Sequence, residues 1–257
     1  MRPDSWQKEY CEFIIRWAKE IDAIRLVLLQ GSLASRGPID VWSDIDVCLF
    51  GDTMEYWQDP CPIPAFVVDT WVADRFSSLG QTIQTRLLIL EQDRKIDVSF
   101  YPRSFVQHLQ QPGPLPPDFD HGYQILLDKD HLQDSLLTPS FQAFQSVRPS
   151  TEQWEECQRE FRFECWHVRK YLARGEWYHA LWRLGEARQF LLQLLLWETA
   201  SRNAQTINAK PLGKNLSQIL SVDHQLALRA SFSNADQEAI HCSLEQIEAI
   251  FSKLNLN

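Results

Sequence analysis

Three aspartates stand where a strand would be expected to carry apolar residues. Asp44 and Asp46 fall two apart in the run Ser43 to Phe50, and Asp97 lies inside Ile96-Asp97-Val98-Ser99-Phe100. Side chains alternate along a strand, so Asp44 and Asp46 share a face. Burying both in a core would cost heavily. A water-facing edge removes that cost, and so does a divalent cation. Mg²⁺ takes carboxylate oxygens and keeps places for phosphate oxygens. Gly31-Ser32, which follows the apolar run Ile24 to Gln30, supplies the phosphate side. The glycine lets the backbone turn sharply and approach a ligand, and Ser32 offers both its N–H and its hydroxyl. A helix starting near Leu33 would add free N–H groups, and Arg36 can reach the same charge or face solvent. Together these residues point to nucleotidyl transfer. In that chemistry Asp44 and Asp46 hold two Mg²⁺ ions against a triphosphate. Asp97 binds the ion that activates the acceptor hydroxyl, and helps to deprotonate it. A Gly-Ser pair alone is commonly a turn, and an Asp-x-Asp alone a cap or surface loop. The combination carries the argument. There is no Gly-Lys-Ser/Thr of a P-loop, and the later glycines of a dinucleotide fingerprint are missing.

The elements that must position these groups follow from the pattern. Asp4 or Ser5 caps a first helix to about Glu20, with Phe13, Ile14 and Trp17 on its buried stripe. Strands are expected over Ile24 to Gln30 and Ser43 to Phe50, and a short one over Ala65 to Val68. Residues 70 to 80 read as a helix with Asp69 as its cap. Leu87 to Glu91 and Lys95 to Tyr101 read as a hairpin about Gln92-Asp93-Arg94. Pro60-Cys61-Pro62-Ile63-Pro64 reads as a loop, and Pro102 begins a helix that fades near Gln110. The proline-rich stretch 111–120 marks a boundary or a surface crossing, and Gly122 to Lys129 reads as one more strand. Helical periodicity then takes over at 151–173, 176–200 and 234–254. The expected plan is an α/β (α+β) domain over 1–145, followed by an all-helical domain over 146–257.

Composition narrows the partners. The chain of 257 residues is 44% hydrophobic, enough for sizeable cores, and carries a formal charge of −9. A nucleic-acid surface needs a basic excess, so a polymer substrate is disfavoured. An acidic cleft attracts a small cation instead. The six cysteines show neither a Cys-x-x-Cys nor a zinc spacing, which suggests a reducing compartment. No apolar targeting segment follows Met1, and no apolar stretch is long enough to span a bilayer. A cytoplasmic protein without a membrane partner, monomeric or homodimeric, is expected.

A second set of candidates lies in the helical half. Glu160 and Glu164 are four apart on one helix, so either can serve as general base or clamp an acceptor ammonium. Arg159, Arg162, Arg169 and Lys170 lie among them, and a salt-laced surface helix has the same composition. Lys170 and Arg174 offer phosphate contacts from the helical side, with solvent exposure as the alternative. Trp166 and His167 offer stacking surfaces, whereas Trp182 and Trp197 read as core.

With these residues in view, the chain resembles the nucleotidyltransferase superfamily with the polymerase-β-type core. Within it, the chain is most similar to the aminoglycoside adenylyltransferases, especially the streptomycin 6-adenylyltransferase family. The likeness rests on Gln30-Gly31-Ser32-Leu33-Ala34-Ser35-Arg36-Gly37, Trp42-Ser43-Asp44-Ile45-Asp46-Val47 and Lys95-Ile96-Asp97-Val98. Weaker likenesses are Ile125 to Asp130, Glu160-Phe161 and Val168 to Glu176. The resemblance implies ATP and Mg²⁺ as cofactors and Gly31, Ser32, Arg36 and Ser43 at the nucleotide. It also implies transfer of AMP to a hydroxyl of a small acceptor, an aminoglycoside antibiotic, between the two domains. Where the family often has Trp after Glu-Phe, Arg162 stands here, which bears on the acceptor pocket. Lincosamide adenylyltransferases and antitoxin-like enzymes that add AMP to a protein or RNA are the alternatives. Antitoxin-like chains are often much shorter, so the full helical half favours a small acceptor. Retention of Asp44, Asp46 and Asp97 argues against a degenerate, non-enzymatic module.

Overall fold

A computed structural model describes residues 5–35, 39–52, 63, 66–143, 145–146, 148–203, 207–208, 213–232 and 234–254. They fall into two compact units, Met1–Ala143 and Phe144–Asn257.

In the first unit, α1 (Trp6–Glu20) begins at Ser5, whose hydroxyl accepts from the Lys8 N–H. Such a cap satisfies one of the free donors of the first turn. The buried side chains of α1 include Trp6, Cys11, Ile14 and Ala18, while Phe13 and Trp17 pack half-buried at the rim. There follow β1 (Ile24–Gln30), the single turn α2 (Gly31–Ala34), β2 (Ile45–Gly51), β3 (Val68–Ser78), β4 (Gln81–Leu90), β5 (Arg94–Pro102), the short α3 (Val106–Gln110) and α4 (Pro117–Asp120), and β6 (Gln124–Asp128). The sheet order is β3-β4-β5-β2-β1-β6. It is mixed: β2 and β5 run parallel, and every other neighbouring pair is antiparallel. The central strands are buried on both faces. Val27, Leu29, Val47 and Val98 face α1. Leu26, Leu28, Cys48, Phe50 and Tyr101 face Phe105, Leu109 and Phe119. Strands covered on both sides read as near-continuous apolar runs, and for that reason β1 and β2 stand out in the sequence.

Several expectations are corrected. Residues 70–80 are not helical; they belong to β3 and to the turn that leads into β4. Leu79 and Gly80 both take positive φ (48° and 77°), which reverses the chain into a long antiparallel ladder. The β-forming Thr70, Trp71 and Val72 sit in it. Asp69 therefore caps no helix; it is exposed in β3 where the register shifts. The turn after β1 starts at Gly31, not Leu33, and lasts four residues. Strand β2 starts at Ile45, so Asp44 immediately precedes it. The proline-rich stretch lies inside the first unit, with Leu115 and Phe119 buried. Arg36, Ala65 and most of the Pro60–Pro64 loop lie outside the described residues.

The second unit is helical apart from one short ladder between β7 (Gln145–Ser146) and β8 (Ile207–Asn208). Its helices are α5 (Thr151–Ala173), α6 (Trp177–Asn203), α7 (Leu216–Ile219), α8 (Val222–Ala230) and α9 (Gln237–Phe251). Ser150 and Gln153 form a capping box at the start of α5. The core joins Phe161, Val168, Leu184, Leu191, Ile240 and Leu244. Trp197 packs half-buried against it, but Trp182 is 55% exposed and is no core residue. Cys11, Cys48, Cys157, Cys165 and Cys242 are free thiols. Among the described residues no helix is long and apolar enough to cross a membrane.

Candidate active site

The parallel pairing of β2 with β5 brings the candidate carboxylates together. Asp46 lies directly beside Asp97 in the register, between the pairs Ile45–Ile96 and Val47–Val98. On its other side Asp46 pairs with Gln30, the last residue of β1. Parallel neighbours in register point to the same face. Asp46 and Asp97 thus continue the face that carries Cys48 and Tyr101, at the end of the sheet where β1 finishes and β2 and β5 begin.

Gly31 is held against this group. Its φ is +65°, and a Cβ built there would fall 1.8 Å from Oδ2 of Asp46. The positive φ favours glycine, and the lack of space excludes any larger residue. Hence the first peptide after β1 passes directly over the Asp46 carboxylate, with Ser32 next in the turn.

The approach to Asp44 is clamped from α1. Trp6 Nε1 donates to the carbonyl of Val41 (3.1 Å), and Gln7 Nε2 donates to the carbonyls of Asp40 (2.9 Å) and Ser43 (3.2 Å). The Ser43 hydroxyl accepts from the Asp40 N–H at 3.0 Å and donates to Asp40 Oδ1 at 3.2 Å. Ser43 is thereby placed as the buried corner of the turn that delivers Asp44. Trp42 in the same turn is 71% exposed. Gln7 and Trp6 are positioning residues that the sequence did not disclose; nothing in a capped amphipathic helix marks them.

Lys95 is a third residue to which the sequence assigned no role. Its ammonium lies 2.7 Å from Asp97 Oδ2 and 3.5 Å from Asp44 Oδ2. The signal was available: Lys95 and Asp97 are two apart on one strand and must share a face. Burial pushes the Asp97 carboxyl above its ordinary value, and Asp44 adds to the rise, while Lys95 pulls partly the other way. For Lys95 burial acts downward, but the hydrogen bond and charge of Asp97, with Asp44 and Asp46, leave its pKa raised. Asp97 Oδ1 is buried and has no hydrogen-bond partner among the described residues. As they stand, no group of three or more His, Cys, Asp or Glu among the described residues is gathered closely enough to hold a metal ion. The place between Asp44 and Asp97 is taken by the lysine.

The candidates of the helical unit lie on α5. Glu160 is exposed, but Glu164 one turn later is buried. Both Glu164 oxygens accept from Arg183 of α6, at 3.1 and 3.3 Å, and His167 Nδ1 lies 3.8 Å away. The Lys170 ammonium sits over the rings of Trp166 (5.0 Å) and Tyr171 (5.5 Å), a cation–π arrangement. Trp166 is half exposed and His167 lies edge-on to it.

Comparison with known proteins identifies the family. A family profile described as streptomycin adenylyltransferase matches residues 5–257. The chain belongs to the streptomycin adenylyltransferase family. An aminoglycoside 6-adenylyltransferase of Bacillus subtilis (strain 168) is 23% identical over 267 residues, covering 96% of this chain and 88% of that one. One from Campylobacter jejuni is 22% identical over 260 residues, covering 97% and 86%. A crystal structure of an aminoglycoside 6-adenyltransferase from Bacillus subtilis superposes with a TM-score of 0.43 at 20% identity, covering 96% and 88%. The protein is thus an enzyme of the nucleotidyltransferase class within the aminoglycoside adenylyltransferase family.

Proposed function

We propose that this family member transfers AMP from ATP to a hydroxyl of an aminoglycoside and releases pyrophosphate, with Mg²⁺ held by Asp44, Asp46 and Asp97. The observation that carries the reading is the adjacency of Asp46 and Asp97 on parallel strands, beneath the Gly31 turn. The residues suit the ion. The donors are all carboxylates, as a hard cation prefers, and one Asp97 oxygen is buried without a partner. Bound there, Mg²⁺ would supply Lewis-acid polarisation of phosphate and acceptor oxygens.

The chain's own residues supply the rest. Gly31 and Ser32 bring backbone N–H groups and a hydroxyl to the terminal phosphates, in a turn packed so closely on Asp46 that position 31 has no room for a Cβ. The clamp from Trp6 and Gln7 fixes the turn before Asp44, so that this carboxylate is placed before substrate arrives. Asp97 lies where it can also accept the proton of the acceptor hydroxyl. A polycationic aminoglycoside suits a protein of net charge −9.

Mass spectrometry of reactions with ATP, Mg²⁺ and a panel of streptomycin, other aminoglycosides and lincomycin tests the reading. The expected product is an aminoglycoside heavier by one AMP. Adenylylation of lincomycin alone, or of no antibiotic in the panel, would overturn it.

A further inference from the structure

The Lys95 ammonium is seated between two of the sheet-end carboxylates, 2.7 Å from Asp97 Oδ2 and 3.5 Å from Asp44 Oδ2. A cation that joined Asp44 to Asp97 through these Oδ2 atoms would approach each to about 2.1 Å for Mg²⁺ and would compete with the lysine nitrogen for the space between them. Strand alternation prevents Lys95 from pointing elsewhere without leaving the face it shares with Asp97, but its four-carbon stem lets the charged head withdraw by rotation.

We propose that Lys95 is a built-in placeholder for the divalent cation, and that displacing it makes cation uptake depend on the nucleotide. Without ligand, the ammonium holds Asp44 and Asp97 in place and limits the repulsion among the three carboxylates. A free divalent ion must expel it and leave a cation without its partners. An ion arriving with a triphosphate brings new negative charge for the released ammonium. Lys95 thus couples metal binding to nucleotide binding, and such a coupling is reciprocal. This rests on the metal-dependent reading of the site and adds the order in which the site fills.

Lys95 acts here as a positioning residue, so its test reads binding rather than turnover. Mn²⁺ binding is followed by titration calorimetry or electron spin resonance, with and without a non-hydrolysable ATP analogue. The wild type is expected to bind Mn²⁺ weakly alone and more tightly with the analogue. Lys95→Gln should tighten binding of Mn²⁺ alone by about tenfold, within the usual range of such couplings, and narrow the gain from the analogue by the same factor. Lys95→Arg should behave more like the wild type. Unchanged or weaker Mn²⁺ binding in Lys95→Gln would overturn the proposal and leave Lys95 as a structural ion-pair partner.

A second readout needs no variant. The ¹⁵Nζ signal of Lys95, protected by its carboxylates in the resting protein, should move and broaden when Mg²⁺ and the analogue are added together. A signal that stays put while the ligands bind would overturn the proposal even if Lys95→Gln failed to fold. Absence of saturable Mn²⁺ binding to the wild type with the analogue, unaltered by Asp97→Asn, would remove the metal reading itself. That outcome is distinct from a failure confined to Lys95.

Discussion

The molecule contains two carboxylate–cation clusters that look alike as formulae and differ in every physical respect that matters. At the sheet end, Asp44, Asp46 and Asp97 surround Lys95, with side-chain exposures of 43% for Asp44 and 19% for Asp97. In the helical unit, Glu164 is 8% exposed and grips one arginine through both oxygens. The helical pair is neutral and closed, as a buried ion pair must be if it is not to destabilise the fold. At the sheet end one buried oxygen of Asp97 has no donor among the described residues. Sequence spacing does not separate the two cases: Asp-x-Asp and Glu-x-x-x-Glu are equally good geometric pairs, and only the partners differ.

The largest effect should come from breaking the open cluster. Asp46→Asn and Asp97→Asn should each lower turnover by on the order of a thousandfold, about 4 kcal/mol of lost transition-state stabilisation. The unfolding midpoint of the ligand-free protein should hold or rise, because each change removes one of several crowded negative charges. Steady-state adenylylation and urea denaturation on the same preparations check this. Large instability with activity per folded molecule preserved would make the sheet-end carboxylates structural and erase the contrast.

The closed cluster should respond in the opposite way. Glu164→Ala strands the Arg183 guanidinium, which costs 3 to 5 kcal/mol in a fully buried pair. Arg183 retains 24% exposure, so a loss of about 2 to 3 kcal/mol is expected, read as a lower urea midpoint. Turnover per folded molecule should change only slightly. A thousandfold loss of turnover with stability intact would move Glu164 from the structural to the catalytic side. Glu160→Ala serves as the control on the same helix: its carboxylate is exposed, so stability should stay within about 0.5 kcal/mol, and any effect should fall on the KM for a cationic acceptor.

The same contrast explains what could be read in advance. Strands β1 and β2 were legible because burial on both faces leaves apolar runs, and β5 because buried Ile96, Val98 and Phe100 alternate with half-buried residues; the aspartates were legible because they stand where apolar residues are expected. Helices α5 and α9 were legible from their periodicity. Strand β3 was not. Nearly all of it is exposed, so it lacks the alternation of a half-buried strand, and polar residues such as Asp69, Asp74 and Arg75 imitate a solvated helix. The register that sets Asp46 beside Asp97 depends on long-range pairing and has no local signature. The partner Gln7 was invisible for a related reason. A sequence shows which residues are unusual for their element, and a glutamine on a helix is not unusual; Lys95 could be found only through its two-residue spacing from Asp97.

The smallest effect, and the finest comparison, lies in the acid limb of stability. Two aspartates of the first unit are shifted in opposite directions. Asp97 is raised from the ordinary value of 3.8, burial outweighing Lys95. Asp120 is lowered from it: burial acts upward, but hydrogen bonds from the Ser140 hydroxyl and N–H and the Gln142 N–H outweigh it. A raised carboxyl binds its proton more readily in the folded state, so Asp97 costs stability above its folded pKa. That cost is relieved as pH falls toward 3.8. A lowered carboxyl contributes stability above 3.8, and the contribution is lost as pH falls further, through the folded pKa of Asp120. The two windows lie on either side of 3.8. In a series of urea denaturations from pH 6 to pH 2.5, Asp97→Asn should flatten the upper part of the curve and Asp120→Asn the lower part. Each change should be about 1 kcal/mol or less. If Asp97→Asn instead flattened the lower part, its carboxylate would be as satisfied as that of Asp120, and the buried oxygen that marks the site as open would have a partner after all.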